Sequence, residues 1–211
     1  MMEPRECKCS RPARRAYQPS PPDMGLFEPN LPEGFFYRAD FLGSGDASQL
    51  AWAIKSVSFD TFAMRGVVAR RRVKFYGASY DARPSLPMPN FLLPLREQLA
   101  AWAEVAPGAF VMALINEYAV GATIGWHRDA PQYGITAGVS LLSPCRMKLR
   151  PYLSPKDLAG SARRPARKTT HEIELAPRSG YVITGRARDG YEHSIPPTPA
   201  LRYSITFRTL R

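Results

Sequence analysis

The stretch Arg202-Tyr203-Ser204-Ile205-Thr206-Phe207-Arg208 decides the fold of this 211-residue chain. Successive side chains of a β-strand point to opposite faces. In a strand over these residues, the two arginines and the two hydroxyl residues share one face, and the three apolar residues share the other. Two guanidinium groups on one face are suited to an anion with several oxygen atoms. The stretch therefore predicts a strand with one core face and one anion-binding face.

The second half of the chain has the pattern of a β-rich fold. Beyond Pro107, short segments rich in β-branched and aromatic residues alternate with turns. Strands are predicted over residues 111–120, 136–142, 145–153, 171–175, 181–184, 193–195 and 203–210. Seven short strands in this half of the chain predict a β-sandwich, a barrel or a jelly roll.

Two helices are predicted in the first half of the chain. Residues 46–57 begin with Asp46 as a capping residue and continue with apolar residues at helical spacing. Residues 91–105 carry leucines and a tryptophan three and four positions apart. A short strand is expected within residues 31–37, and residues 59–80 look extended. Together these elements predict a mainly β, α+β domain with N-terminal helices packed against the strands.

A single domain is expected over residues 26–211, because the length and the 45% hydrophobic content suit one sizeable core. Residues 1–25 mix Arg, Pro, Ser and Lys without apolar periodicity, which is typical of a disordered basic arm. This arm lacks the apolar segment of a secretory signal, and the sequence has no apolar run of membrane-spanning length. Cys7, Cys9 and Cys145 are too few for a disulfide framework. We therefore expect a cytoplasmic monomer without membrane contact.

Positive charge is concentrated in two segments. The formal net charge is +11, from 29 Lys and Arg residues against 18 Asp and Glu residues. Residues 65–83 and 146–168 together hold 14 of these cations with two acidic residues. Such clustering favours an anionic polymer as partner, because bound phosphates release counterions. A solvated basic loop would give the same count, and residues 154–170 are predicted to form a mobile basic loop between strands.

The scarce histidines suggest a metal site. His127 and Asp129 are two residues apart, so a strand or its end presents both on one face, and His193 follows 64 residues after Asp129. Two imidazoles and one carboxylate form the facial triad of non-haem Fe(II) oxygenases, which leaves coordination positions open. Hydrogen-bonded structural groups can show the same pattern. His171 is expected to be a surface group at a strand edge.

A candidate cosubstrate site follows His193 in the sequence. Arg202 lies nine residues past His193, so a turn and a return strand can bring its guanidinium near the metal. An iron that activates oxygen through 2-oxoglutarate needs the keto-acid end of this cosubstrate on the metal. The far carboxylate then needs a fixed cation, and arginine provides one through bidentate pairing.

These motifs resemble the signature of the AlkB family of Fe(II)/2-oxoglutarate dioxygenases. The matching residues are His127-Arg128-Asp129, His193 and Arg202-x-x-x-x-x-Arg208, and Asn116-Glu117-Tyr118 is similar to the Asn-x-Tyr element of the family. The resemblance covers residues 110–211. It implies a double-stranded β-helix, or jelly roll. It also implies iron ligation by His127, Asp129 and His193, with 2-oxoglutarate held by Arg202 and assisted by Arg208, Asn116 and Tyr118.

The resemblance extends to a substrate lid at about residues 65–83. Phe75-Tyr76-Gly77 with Tyr80 is similar to the lid of the family, and Arg72 and Lys74 add cations beside it. Tyr76 and Tyr80 could stack on an extruded base or could pack within the lid itself. The implied activity is oxidative demethylation of N-alkylated DNA or RNA bases. The hydroxylated N-methyl group would leave as formaldehyde.

Two positions depart from the family pattern. Ser204 stands where much of the family has Asn, and Pro131 stands where repair members often carry an acidic residue. The side chain of proline, unlike a carboxylate, cannot accept a hydrogen bond from an exocyclic amine of a base. Two alternatives therefore stay open. The first is the same oxidation of a protein side chain or a small molecule, and the second is a non-catalytic nucleic-acid-binding module of the same fold.

Overall fold

The computed structural model describes residues 31–64, 67–78, 86–154 and 170–211. The predicted arm, Tyr80 and most of the predicted basic loop therefore lie outside the described residues. The helices are α1 (Ser44–Ile54), α2 (Leu93–Trp102) and α3 (Gly185–Asp189), and short 3-10 turns cover Asn90–Leu92 and Pro107–Ala109. The strands are β1 (Phe35–Arg38), β2 (Asp60–Met64), β3 (Val67–Gly77), β4 (Phe110–Tyr118), β5 (Ile124–His127), β6 (Tyr133–Leu141), β7 (Cys145–Pro151), β8 (His171–Leu175), β9 (Gly180–Ile183), β10 (Tyr191–Ile195) and β11 (Arg202–Leu210).

The strands form two antiparallel sheets. The large sheet has seven strands in the order β1-β9-β6-β11-β4-β3-β2, and the small sheet has four strands in the order β5-β10-β7-β8. Strand β11 pairs with β4 on one side and with β6 on the other. The stretch from Arg202 to Arg208 therefore lies in an interior strand of the large sheet. The predicted mainly β, α+β class is confirmed.

The two faces of β11 have the predicted characters. Tyr203, Ile205 and Phe207 belong to a core cluster that contains residues of α1 and α2. The opposite face holds Arg202 and Arg208, which are 1% and 9% exposed. The helices thus cover the outer face of the large sheet. The polar face points into the interior, where a second apolar cluster joins residues of both sheets.

All seven predicted strands are present, but several local predictions need correction. The extended character predicted for residues 59–80 is present in their described part, but as two strands, β2 and β3, that pair as a hairpin. The short strand β5 was not predicted. The predicted cap at Asp46 is wrong, because α1 has Gly43 as its N-cap without a side-chain hydrogen bond, and Asp46 lies in the first turn. None of the helices in the described ranges has the length and apolar character that a membrane span requires.

Gly77 ends β3 and allows the hairpin to lie close to β4. Its φ angle is +74°, and a Cβ atom at this position would come within 2.1 Å of the carbonyl oxygen of Val111. L residues with a side chain rarely adopt this conformation. The backbone at Gly77 therefore helps to position the hairpin beside β4 in the large sheet.

The central place of β11 gives a prediction for stability. Replacing the fully buried Ile205 with alanine removes methyl groups from the core between the large sheet and the helices. We expect Ile205→Ala to lower the free energy of unfolding by about 2–5 kcal/mol, measured by urea denaturation. Leu210→Ala in the same strand is the matched control, because Leu210 is 52% exposed. Equal losses in the two variants would contradict the placement of this face in the core.

Candidate active site

Three side chains that can bind a metal converge at the end of the small sheet. His127 is the last residue of β5 and pairs with His193 of β10, and their ring centroids are 4.3 Å apart. Asp129 follows two residues after β5. Atoms of His127, Asp129 and His193 that could ligate a metal all lie within 4.8 Å of one another. The structure therefore brings the three predicted residues together.

A backbone hydrogen bond orients the first imidazole. Nδ1 of His127 lies 2.9 Å from the carbonyl oxygen of Gly125. A carbonyl oxygen can only accept, so Nδ1 donates and carries the proton. The lone pair of Nε2 is then available to a metal, and the ring orientation is restricted.

Two side chains of the large sheet hold the carboxylate of Asp129. Arg208 donates through Nε and Nη2 at 3.1 and 3.0 Å, one hydrogen bond to each carboxylate oxygen. Thr136 donates a third hydrogen bond, at 2.8 Å. The Arg208 and Asp129 side chains are 11% and 6% exposed, so this ion pair is buried. It connects β11 to the segment that follows β5.

The electrostatic environment favours the protonation states that a divalent cation needs. Burial, together with the neighbouring His127, lowers the pKa of His193 to about 3. Burial also lowers the pKa of His127. Burial alone would raise the pKa of Asp129, but the charge and hydrogen bonds of Arg208 outweigh it, and the pKa lies below the usual range. At neutral pH the cluster therefore consists of two uncharged imidazoles and one ionised carboxylate.

Arg202 is the largest fully buried side chain among the described residues, and it has an unused donor. Its Nε donates to Oγ of Ser140 at 3.0 Å, and its guanidinium carbon lies 4.9 Å from the ring centroid of Tyr118. Within the described residues, Nη1 of Arg202 has no hydrogen-bond partner. Leaving a buried donor unpaired costs about 1–3 kcal/mol or more. A ligand carboxylate would satisfy this atom, so the residues present fit 2-oxoglutarate.

A short chain of hydrogen bonds runs across the same face of the large sheet. Nδ2 of Asn116 donates to Oγ of Ser204 at 3.3 Å, and Nε of Arg71 donates to Oδ1 of Asn116 at 3.1 Å. Ser204 therefore still takes part in a polar network at the position where much of the AlkB family has Asn. The shorter side chain is accommodated by the cross-strand pairing of Ser204 with Asn116.

Two cavities are lined by both His127 and Asp129. The smaller one, of about 200 Å³, is lined by Arg71 and the aromatic side chains of Phe62, Phe75 and Tyr133, beside His127, Asp129 and Arg208. The larger one, of about 930 Å³, is lined by Trp126, Arg128, Pro131, Tyr152, Arg188, Asp189, Glu192 and Arg211, beside His127, Asp129 and Ala130. A substrate group can therefore approach the cluster through the smaller, aromatic cavity or through the larger cavity.

The predicted substrate residues of β3, Arg72, Lys74 and Tyr76, lie on the face of the strand opposite to Arg71 and Phe75. Arg72 pairs with Glu117, Lys74 pairs with Asp60, and Tyr76 packs against the core that contains the helices. The site is instead bordered by Arg71 and Phe75, which alternate with these residues. The apolar residue Val73 between Arg71 and Phe75 is the sequence feature that could have indicated the inner face, and its side chain is buried in the structure. Tyr80 is outside the described residues.

Trp126 directly precedes His127 in β5. It is half-buried, lines the larger cavity, and lies 4.0 Å from the guanidinium carbon of Arg150, measured to its ring centroid. Arg188, which the sequence analysis did not single out, donates to the carbonyl oxygens of Ala130 and Tyr133 at 2.8 and 3.0 Å. The buried guanidinium of Arg188 thus holds the segment that follows Asp129.

A sequence model described as the 2OG-Fe(II) oxygenase superfamily, where 2OG is 2-oxoglutarate, matches residues 49–208. The chain belongs to this superfamily. Membership confirms the predicted dioxygenase class and the predicted Fe(II) and 2-oxoglutarate. All three residues of the histidine and aspartate cluster lie within the matched range.

The oxygenase is similar to a protein of Arabidopsis thaliana named "Alkylated DNA repair protein ALKBH8 homolog". The two are 28% identical over 189 residues, which covers 80% of this chain and 52% of the relative. The chain therefore spans about half the length of the curated relative that it matches. This similarity supports the AlkB resemblance.

Solved structures confirm the double-stranded β-helix fold. The structure of OsALKBH1 superposes with a TM-score of 0.65 at 13% identity, over 85% of this chain and 99% of that chain. A Pseudomonas putida prolyl-4-hydroxylase has a TM-score of 0.55 at 14% identity, over 84% and 93% of the two chains. A Trichoplax adhaerens prolyl hydroxylase has a TM-score of 0.58 at 16% identity, over 84% and 83%. With these matches, the oxygenase has an AlkB-like jelly roll.

The buried ion pair at Asp129 gives a second stability prediction. Arg208→Met leaves the carboxylate of Asp129 without its cation, so we expect a loss of about 3–5 kcal/mol in the free energy of unfolding. The measurement is urea denaturation of the protein with a metal chelator present. Arg211→Met is the matched control, because Arg211 is 50% exposed and pairs with Asp189 at the surface.

The double variant Asp129→Asn with Arg208→Met distinguishes the stability lost through the unpaired charge of Asp129 from the stability lost through packing of the Arg208 side chain. Since it removes both charges, we expect it to recover part of the stability that Arg208→Met loses. If Arg208→Met were as stable as Arg211→Met, the ion pair would not have the importance that its burial indicates.

Proposed function

We propose that this oxygenase removes alkyl groups oxidatively from N-alkylated bases of DNA or RNA. The observation that carries the oxidation chemistry is the convergence of His127, Asp129 and His193, and the unpaired buried donor of Arg202 on the inner face of the large sheet supports it. The nucleic-acid substrate is supported by the aromatic cavity, the net charge of +11 and the similarity to a relative named as an alkylated DNA repair protein.

In this proposal His127, Asp129 and His193 hold the iron, and Arg202 holds the far carboxylate of 2-oxoglutarate. When bound, iron and 2-oxoglutarate supply the oxidation of a C–H bond by dioxygen, with succinate and carbon dioxide as co-products. Arg208 and Thr136 keep the carboxylate of Asp129 oriented through their three hydrogen bonds. Tyr118 packs against the Arg202 guanidinium and helps to exclude water from it.

The smaller cavity suits a flat ring. Its volume of about 200 Å³ is below the ~300–1,000 Å³ that is typical of pockets for drug-sized ligands. Phe62, Phe75 and Tyr133 provide aromatic surface, and stacking on such surface tolerates different bases. An extruded or single-stranded base could enter, with its backbone outside the cavity. Oxidation of an N-methyl group there would yield an N-hydroxymethyl product, which releases formaldehyde.

The first prediction for this function concerns the iron and the cosubstrate. We expect Asp129→Ala and His193→Ala to abolish succinate formation from 2-oxoglutarate, because each removes a proposed ligand. We expect Arg202→Met to raise the KM for 2-oxoglutarate by about 10- to 100-fold, the equivalent of a lost charge-assisted hydrogen bond. Arg146→Met is the control, because Arg146 is 63% exposed and pairs with Glu172. An unchanged KM in Arg202→Met would remove Arg202 from the cosubstrate site.

The second prediction concerns the substrate. Formaldehyde release is measured with N-methylated single- and double-stranded oligonucleotides at low and moderate salt, since phosphate contacts weaken as salt rises. We expect turnover of part of this panel. We expect Phe75→Ala to lower kcat/KM for the oligonucleotide by about 5- to 100-fold, the usual range for a lost stacking contact.

Phe36→Ala is the matched control, because Phe36 is 52% exposed on β1. Thermal unfolding of both variants shows whether Phe75→Ala remains folded. Consumption of 2-oxoglutarate without formaldehyde across the whole panel would move the substrate to a protein side chain or a small molecule. Pro131, which lines the larger cavity, favours that alternative, because its side chain offers no acceptor to a base.

A further inference from the structure

Arg71 borders two cavities near the site, and it has no assigned role in binding the metal or the cosubstrate. It lies in β3 on the inner face, half-buried, with its guanidinium carbon 4.7 Å from the ring centroid of Phe62 in β2. It lines the aromatic cavity, and it also lines a groove of about 410 Å³ between β3 and β5. Arg71 therefore reaches from the edge hairpin into the site.

The hydrogen bond from Arg71 fixes which way the amide of Asn116 points. Nε of Arg71 donates to Oδ1 of Asn116, so the oxygen end of the amide faces β3. The NH₂ end then faces β11, where it donates to Ser204. A guanidinium can only donate, so a flipped amide would place two donors against each other. Arg71 thus selects one of the two orientations of Asn116.

The oriented amide lies on the same sheet face as the buried cation. Asn116 pairs across the sheet with Ser204, and Ser204 pairs with Ser140, which accepts a hydrogen bond from Arg202. Tyr118 shares the face of β4 with Asn116 and packs on Arg202. The NH₂ group of Asn116 therefore lies on the same face of the large sheet as the unpaired Nη1 of Arg202.

We propose that Arg71 is a positioning residue that orients Asn116 for 2-oxoglutarate and so links the β2–β3 hairpin to cosubstrate binding. This inference rests on the proposed function, because it takes Arg202 and Asn116 as the cosubstrate site. The hairpin is at the edge of the large sheet, where β2 has a partner strand on one side. Edge elements open more readily than central ones. Displacement of β3 would remove the constraint on Asn116 and weaken cosubstrate binding.

The test measures 2-oxoglutarate binding without turnover. Calorimetry is carried out on the Mn(II)-loaded full chain under argon, with no substrate present. We expect Arg71→Met to weaken 2-oxoglutarate binding by about 10-fold, the equivalent of one charge-assisted hydrogen bond, and not to weaken Mn(II) binding. Arg71→Lys keeps the charge and a donor, and we expect it to restore part of the affinity. Arg71→Gln provides a second neutral variant if Arg71→Met does not fold.

The double variant Arg71→Met with Asn116→Ala tests whether Arg71 acts through Asn116. Because one residue positions the other, we expect the double variant to bind 2-oxoglutarate no more weakly than Asn116→Ala alone. In turnover, we expect Arg71→Met to raise the KM for 2-oxoglutarate more than it lowers kcat. If Arg71 had a purely structural role, Arg71→Met would instead lower thermal stability without a larger effect on KM than on kcat.

Arg38→Met is the matched control, because Arg38 is also a strand arginine beside an aromatic ring, 5.0 Å from the ring centroid of Trp102, and is remote from Asn116. Wild-type affinity in Arg71→Met, or additive losses in the double variant, would overturn the inference. Arg202→Met distinguishes this result from failure of the proposed function. If Arg202→Met loses 2-oxoglutarate binding and Arg71→Met does not, the cosubstrate site stands and Arg71 has no part in it.

Discussion

Burial of two guanidinium groups on the inner face of β11 is the constraint on which the site depends. Arg202 and Arg208 are 1% and 9% exposed, and a buried cation destabilises a protein unless it is paired. Arg208 is paired with Asp129, whereas Arg202 keeps one donor without a partner among the described residues. The fold thus contains one satisfied charge and one that an acidic cosubstrate can satisfy.

The Arg208–Asp129 ion pair also connects the two sheets at the place where chemistry is proposed. His127 and His193 belong to the small sheet, and Arg208 and Thr136 belong to the large sheet. Asp129 lies in the segment after β5, so its carboxylate is held from the large sheet while its chain neighbours belong to the small one. A change in sheet packing would therefore displace the carboxylate from the histidines. Metal geometry and fold stability depend on the same contact.

The substrate side is built differently from the metal side. Phe62, Arg71 and Phe75 come from the β2–β3 hairpin, which lies at the edge of the large sheet. Edge elements can vary without disturbing the central strands, so one oxidative centre can serve different substrates. In the proposed function, the substrate therefore contacts the cavity walls that this hairpin provides rather than the central strands of the jelly roll.

The sequence by itself determined most strand segments, the two characters of β11 and the three residues of the candidate metal cluster. These features follow from period-two alternation and from the spacing of His127, Asp129 and His193, which are local properties of the chain. Only the tertiary structure decided that Arg208 contacts Asp129 and that Arg71, rather than Arg72, faces the site. Alternation shows that neighbouring residues lie on opposite faces, but which face is covered depends on the sheet and helices packed against it. That is a non-local property of the folded chain.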